Sequence, residues 1–195
     1  MEENKKQVVQ PEVTRAKFDS EINKFLLLEN ENRKRGIICL KAEFPVIELA
    51  FTAHLLKPPA IVFAVSIDFT NYDVEPPSII FIDAFTGKPV TTKEIHAKFI
   101  KTILGKVQIA PGQLIDANIP QNILVGEPNE RPFICLPGVR EYHNHPQHTG
   151  NSWLLSRTKG EGDLAFLIDQ LYYNSIPQIK SYNVNFTVSI NQQFQ

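Results

Sequence analysis

The first hydrophobic pattern along the chain has the period of a helix. Within residues 14–29, apolar side chains follow the i, i+4, i+7, i+8 spacing of a single helix face: Phe18, Ile22, Phe25 and Leu26. Gly36 follows the basic residues 33–35, where a helix would stop. The pattern predicts an amphipathic N-terminal helix that packs on another layer, preceded by a flexible tail at residues 1–12.

Four short apolar segments come next, and most are rich in β-branched or aromatic residues. They are residues 37–40, 44–53, 61–69 and 78–82. The links between them are short, and the last link ends with the pair Pro76-Pro77, which lacks the amide donors of a strand. Because strands joined by short links pair antiparallel, the order predicts a four-stranded antiparallel meander.

The second half of the chain is less regular. Residues 91–104 carry apolar side chains at helical spacing and predict a short helix. Residues 105–134, interrupted by Pro111-Gly112 and Pro120, predict a long irregular connection that leads to Cys135. Long connections of this kind inside a compact domain are often functional.

A second helix and a last strand complete the expected fold. Asp163 is a suitable N-cap for a helix that continues to Tyr173. Its expected buried face is Leu164, Leu167, Ile168 and Leu171. Residues 182–190 alternate with period two and predict a half-buried strand. We therefore predict a single α+β domain over residues 13–195.

Composition excludes several classes of partner. Of 195 residues, 43% are hydrophobic and 21% charged, with a formal net charge of −1, so neither nucleic acid nor an anionic membrane is expected. No apolar stretch approaches the roughly 18 residues of a membrane span, and residues 1–10 lack the apolar core of a secretion signal. We expect a cytoplasmic protein with reduced cysteines, of which Cys39 belongs to the core.

Side chains capable of chemistry concentrate in the segment 135–157. It holds one of the two cysteines, three of the five histidines and the only tryptophan. The residues that can bind a metal or move a proton are Cys135, Glu141, His143, His145 and His148. No other part of the chain has a comparable concentration, so this segment is the predicted site.

Two resemblances to known families meet in this region. The order of elements is similar to that of the ubiquitin-conjugating (E2) fold. Local features resemble the same fold: the strand at residues 65–69, Tyr72, the Pro76-Pro77 pair that opens the next strand, and the Ile134-Cys135-Leu136 context of the cysteine. The series Cys-Leu-Pro-Gly-x-Arg-Glu-Tyr-His-x-His-Pro-x-His, followed by Ser-Trp-x-Leu and Arg, resembles a metal-binding family named for its Cys, Glu, His and His residues. That resemblance implies a bacterial pathway that conjugates ubiquitin-like proteins, with an E1-like enzyme and a ubiquitin-like protein as partners.

The first chemical hypothesis is a metal site, most simply zinc. Zinc takes thiolate, imidazole and carboxylate ligands, four in a closed structural site. Cys135, Glu141, His143 and His148 could supply such a set. In an extended segment Glu141, His143 and His145 would point to the same side, and a turn at Pro146 would return His148 to them.

The second hypothesis is a nucleophilic Cys135 that carries an acyl group as a thioester. A neighbouring cation such as Arg140 or protonated His143 would lower the pKa of the thiol, and His143 or His145 would deprotonate the accepting amine. The two roles compete, because a thiolate held in a closed zinc site is not free to carry an acyl group.

Three functions follow from these hypotheses. The first is a metal-binding E2-like component of a ubiquitin-like conjugation pathway. The second is an active E2-type enzyme that carries a ubiquitin-like protein on Cys135. The third is a non-enzymatic interaction module in which the metal is structural.

Overall fold

The computed structural model describes residues 7–148 and 151–183. The predicted N-terminal helix is present as α1, Pro11–Leu27, and a short helix α2, Glu29–Lys34, follows it. Proline suits the start of α1, where its missing amide hydrogen would have no helical partner. Phe18 and Phe25 are buried as predicted, whereas Leu26 is 52% exposed, so the buried face is narrower than the pattern indicates. Residues 1–6 of the predicted tail lie outside the described residues.

The predicted four-stranded meander is confirmed. Its strands are β1 (Ile37–Glu43), β2 (Val46–Ala53), β3 (Ala60–Asp68) and β4 (Ser78–Ile82), paired antiparallel in the order β1-β2-β3-β4. One face of the sheet supplies much of the core through buried cross-strand pairs such as Leu49 with Val65 and Ile47 with Ile67. The core prediction for Cys39 is wrong, because this residue is exposed on β1.

The predicted C-terminal helix is also present. After the short helix α4, Trp153–Ser156, the helix α5 spans Leu164–Tyr173, and all four apolar residues predicted to face the core are buried. Asp163 occupies the N-cap position but makes no capping hydrogen bond with its side chain. Its Oδ1 instead accepts a hydrogen bond from the Tyr72 hydroxyl at 3.2 Å, and Glu21 Oε2 of α1 accepts one from the Leu164 N–H at 2.9 Å. The two helices are therefore joined where α5 begins.

Two predictions for residues 91–134 are wrong. The region contains a short 3₁₀ helix, Thr92–Glu94, and then an antiparallel hairpin of β5 (Ile100–Ala110) and β6 (Gln113–Asn122). Pro111-Gly112 forms the hairpin turn, and Gly112 adopts the left-handed conformation with a φ of 80°. The helical spacing was misleading because aliphatic residues three and four apart also occur in strands rich in isoleucine and valine.

The chain then returns to the body of the molecule. A short pair of strands, β7 (Leu124–Val125) and β8 (Phe133–Ile134), leads directly to Cys135. Within the described residues no helix has the length and hydrophobicity needed to cross a bilayer. The predicted strand at 182–190 falls outside the described residues except for Tyr182 and Asn183, which are not part of a strand.

Candidate functional site

Cys135 lies where the base of the β5–β6 hairpin meets the core. Its N–H donates a hydrogen bond to the C=O of Ile123 at 2.7 Å, and the N–H of Ile123 donates to the C=O of Phe99, just before β5. Ile134 and Leu136 on either side are fully buried, whereas Cys135 is half-buried. Backbone pairing therefore fixes the cysteine, and its thiol remains partly accessible.

His148 is the side chain that forms a hydrogen-bonding contact with the thiol. The distance from Cys135 Sγ to His148 Nε2 is 3.3 Å. The short 3₁₀ helix Pro146–His148 returns the chain at Pro146, as predicted, and the His148 ring stacks on Tyr142 with ring centroids 4.0 Å apart. The His145 ring lies 5.7 Å from the His148 ring and 5.3 Å from the Phe133 ring. The structure thus assembles a thiol–imidazole pair on an aromatic support.

The segment predicted to be extended is a helical turn, α3, Arg140–Asn144. In a helix, residues two apart point about 200° away from each other, so Glu141 and His143 cannot share a side. Glu141 faces β4, where its carboxylate accepts hydrogen bonds from the Ser78 hydroxyl and, at 3.3 Å, from the Ile79 N–H. The predicted common side of Glu141, His143 and His145 is therefore wrong.

His143 connects α3 to two neighbouring stretches of backbone through its two ring nitrogens. Its Nε2 accepts a hydrogen bond from the Gly138 N–H at 3.1 Å, and its Nδ1 lies 2.8 Å from the C=O of Asn151. Because a carbonyl only accepts, the ring carries its hydrogen on Nδ1. Trp153 packs edge-on against the same ring at 5.8 Å, and its indole N–H donates to the C=O of Asp73 at 2.9 Å. Both nitrogens of His143 are therefore used in holding the site segment together.

The structure places two of the four predicted metal ligands in contact with each other. Cys135 and His148 are adjacent, but Glu141 and His143 use their polar atoms in bonds to other parts of the fold. Among the side chains that the structure describes, no group of three or more Cys, His, Asp or Glu residues is placed to hold a metal ion. Zinc binding therefore stays a prediction.

The pKa of the Cys135 thiol is changed by burial and by a lysine that the sequence did not indicate. Burial raises the pKa of Cys135 above its ordinary value, and the charge of Lys101, on β5, lowers it by a smaller amount. Lys101 is distant from Cys135 in sequence, and only the hairpin brings it close. The thiol is therefore protonated at neutral pH and needs a base to react.

Arg140 does not act on the thiol as predicted. Its side chain is only 8% exposed and its guanidinium donates to the C=O groups of Thr70 and, at 3.1 Å, Pro76. It also lies 3.6 Å from Glu75 and 3.8 Å from Asp68. This arginine therefore connects α3 to the loop between β3 and β4.

The sequence comparisons agree on one family. A model of the Y4jH-like family (Y4jH family) matches residues 9–179. The chain belongs to the Y4jH-like family. Uncharacterized protein y4jH of Sinorhizobium fredii (strain NBRC 101917 / NGR234) is 38% identical over 172 residues, which cover 85% of this chain and 83% of that protein. The match to the Y4jH-like family includes the meander, the hairpin and the site segment.

Proposed function

We propose that the chain is an E2-type carrier, which receives a ubiquitin-like protein from an E1-like enzyme as a thioester on Cys135. The observation that carries the proposal is the distance of 3.3 Å between Cys135 Sγ and His148 Nε2 at a partly accessible thiol. Its α+β architecture, with an N-terminal helix, a four-stranded antiparallel meander and a C-terminal helix, is compatible with an E2-like fold. A cytoplasmic location belongs to the same proposal.

His148 accepts the proton of the thiol, a step distinct from the deprotonation of the accepting amine that the sequence predicted for His143 or His145. Cys135 Sγ attacks the carbonyl carbon of the donor thioester, and a new carbon–sulfur bond forms while the donor's carbon–sulfur bond breaks. The thiol proton passes to His148 Nε2 and then to the departing thiolate, so no charge or atom is left over. The stacking of His148 on Tyr142 keeps the imidazole aligned with the thiol.

Transfer of a labelled ubiquitin-like protein tests the proposal. The ubiquitin-like protein and E1-like enzyme of the same genome are incubated with ATP and the wild-type chain, and adducts are separated with and without a reducing agent. We expect a reducible adduct with wild type and with the control Cys39→Ser, which alters the exposed cysteine. Cys135→Ser should yield no reducible adduct. A reducible adduct that persists in Cys135→Ser would overturn the proposal.

The histidines are separated by the rate of the same reaction. His148→Gln should slow adduct formation about 100-fold, the lower range for loss of a general base. His145→Gln should have a much smaller effect, because no bond between His145 and the thiol is present. Equal rates for His148→Gln and wild type would contradict the role of His148.

A second candidate function, metal binding, rests on the same pair of atoms. Two ligands of a tetrahedral zinc ion are about 3.5 Å apart, close to the separation of Cys135 Sγ and His148 Nε2. Metal content of the purified chain, measured by mass spectrometry for wild type, Cys135→Ser and Glu141→Gln, tests this alternative. If the wild type contains about one equivalent of metal and Cys135→Ser loses it, metal binding would be favoured over the carrier function. If Glu141→Gln loses the metal as well, the ligand set predicted from the sequence would be supported.

A further inference from the structure

The β5–β6 hairpin has two faces of different composition. Residues directly opposite in an antiparallel pair share a face, and neighbours along a strand alternate between faces. One face, called here the apolar hairpin face, consists of Ile103, Val107, Ile115 and Ile119, with Gly105 and Ala117 between them. The opposite face mixes polar and apolar residues: Thr102, Leu104, Lys106, Gln108, Leu114, Asp116, Asn118 and Pro120.

The apolar hairpin face is not covered by the rest of the described chain. Ile103, Val107 and Ile115 are 38%, 39% and 46% exposed, and each strand makes its main contacts with the other. A hairpin of two strands is only marginally stable alone in water, and a row of exposed aliphatic side chains is typical of a binding surface. This face therefore has the properties of a site that another molecule covers.

The face runs toward the thiol. Along it, the pair Ile103–Ile119 is followed by the pair Lys101–Gln121, at the base of the hairpin. Lys101 lies close enough to Cys135 for its charge to act on the thiol, and Ile123 bonds the backbone of Cys135. The pair Lys101–Gln121 thus supplies the only charged side chain of this face, and it does so beside the reactive group.

We infer that the apolar hairpin face docks the folded body of the protein whose C-terminus Cys135 carries. This inference rests on the proposed carrier function and names the surface by which the carrier selects its cargo. The cargo must present an aliphatic surface patch to Ile103, Val107 and Ile115. Its C-terminal segment then extends past Lys101 to reach Cys135, and the charge of Lys101 favours the negative charge that develops on the thioester carbonyl oxygen during transfer.

Size favours such a tethered cargo over a second copy of this chain. Two strands of about ten residues offer a face of roughly 300 Å², well below the approximately 800 Å² per partner of a stable complex. A contact of this size is weak between free molecules. In the encounter with the acyl donor it lowers KM for transfer, and after transfer the covalent link at Cys135 holds the cargo against the same face at millimolar effective concentration.

Matched double variants on the two faces test the inference. Ile103→Thr with Ile115→Thr makes the apolar hairpin face polar while keeping β-branched side chains in the strands. Leu104→Thr with Leu114→Thr makes the same change on the opposite face, where these leucines are 75% and 60% exposed. Urea denaturation of each double variant confirms that both remain folded to a comparable extent.

Two acyl donors separate the docking surface from the chemistry. The first is the ubiquitin-like protein of the same genome, prepared as a C-terminal 2-mercaptoethanesulfonate thioester. The second is a synthetic thioester of only its last eight residues. Transfer to Cys135 is followed by intact-protein mass spectrometry, and kcat/KM is obtained for each donor and variant.

We expect the apolar-face variant to lower kcat/KM about tenfold for the protein donor, the effect of losing interface side chains, and to leave the peptide donor unchanged. The opposite-face variant should match wild type with both donors. Equal loss with both donors, or no loss, would overturn the docking surface while leaving the carrier function standing. Absence of transfer to Cys135 from either donor would overturn the carrier function itself. A dimer in light scattering that only the apolar-face variant dissociates would assign the face to a second copy instead.

Discussion

Replacing Arg140 by methionine tests whether this arginine holds the site segment to the sheet. The guanidinium is almost completely buried and bonds two backbone C=O groups in the loop between β3 and β4, those of Thr70 and Pro76. Methionine keeps most of the side-chain volume, so the change removes the donors and creates little cavity. The free energy of unfolding should fall because both C=O groups lose a charged partner.

The expected size of the effect follows from these contacts. A hydrogen bond to a charged group contributes about 1.5 to 3 kcal/mol. The ion pairs with Asp68 and Glu75 are longer, at 3.8 and 3.6 Å, and these partners are partly exposed, so they add little. Arg140→Met should therefore cost about 3 to 5 kcal/mol, within the range for removing one member of a buried charged contact.

Urea denaturation followed by circular dichroism measures this cost. The matched control is Arg157→Met, because the Arg157 side chain is 38% exposed and contacts Asp73 only at 3.4 and 3.8 Å. That control should cost less than about 1 kcal/mol. Equal costs for the two variants would refute the reasoning, since they would mean that water satisfies the C=O groups of Thr70 and Pro76 as well as Arg140 does.

Three further predictions concern a glycine, the thiol and a buried tyrosine. Gly138 has a φ of 87° and an added Cβ would lie 1.8 Å from the backbone oxygen of Glu161, so Gly138→Ala should lower the free energy of unfolding by at least about 2 kcal/mol. Gly112→Ala, with a φ of 80° and open space around it, should cost only about 1 kcal/mol in the same urea titration. Lys101→Met should raise the pKa of Cys135 further, which moves the pH profile of iodoacetamide alkylation to higher pH. Burial, followed by the charge of Asp163, raises the pKa of Tyr72 above its ordinary value of 10.0. Because the unfolded chain then loses this proton at a lower pH than the folded chain does, the free energy of unfolding of the wild type should be intact below about pH 10 and fall above it. Tyr72→Phe should show a shallower fall.

Each of these predictions has an outcome that would contradict it. Similar costs for the two glycine variants would place the backbone of Glu161 away from Gly138. Alkylation is measured in a Cys39→Ser background, so that only Cys135 reacts. An unchanged pH profile in Lys101→Met would mean that the charge of Lys101 does not reach the Cys135 thiol. Parallel pH curves for wild type and Tyr72→Phe would mean that Tyr72 ionises as easily in the folded chain as in the unfolded one.

The sequence alone was enough to predict the helices and strands whose hydrophobic pattern is complete within the element itself. The four buried positions of α5 repeat with the helical period, and β3 and β4 are continuous apolar segments between turns, so each element could be predicted from the residues within it. The short links between strands then required antiparallel pairing, which made the meander predictable as well.

Local periodicity failed where two structures share one pattern. In β5, the spacing of Ile100, Ile103 and Val107 satisfies a helix as well as a strand, and only pairing with β6 selects the strand. In the site segment the reverse occurred: residues 140–144 form a helical turn that faces β4 on one side, which separates Glu141 from His143. Five polar residues are too short a segment for any period to be recognised.

The sequence by itself located the chemistry of this protein at the segment that begins with Cys135, because reactive residue types are concentrated there. Only the tertiary structure decided which of them act together. The contact between Cys135 and His148 depends on the turn at Pro146, and the approach of Lys101 to the thiol depends on the β5–β6 hairpin. Such contacts join residues distant along the chain, and they are fixed by packing of the whole core, which no local pattern of hydrophobic and polar positions contains.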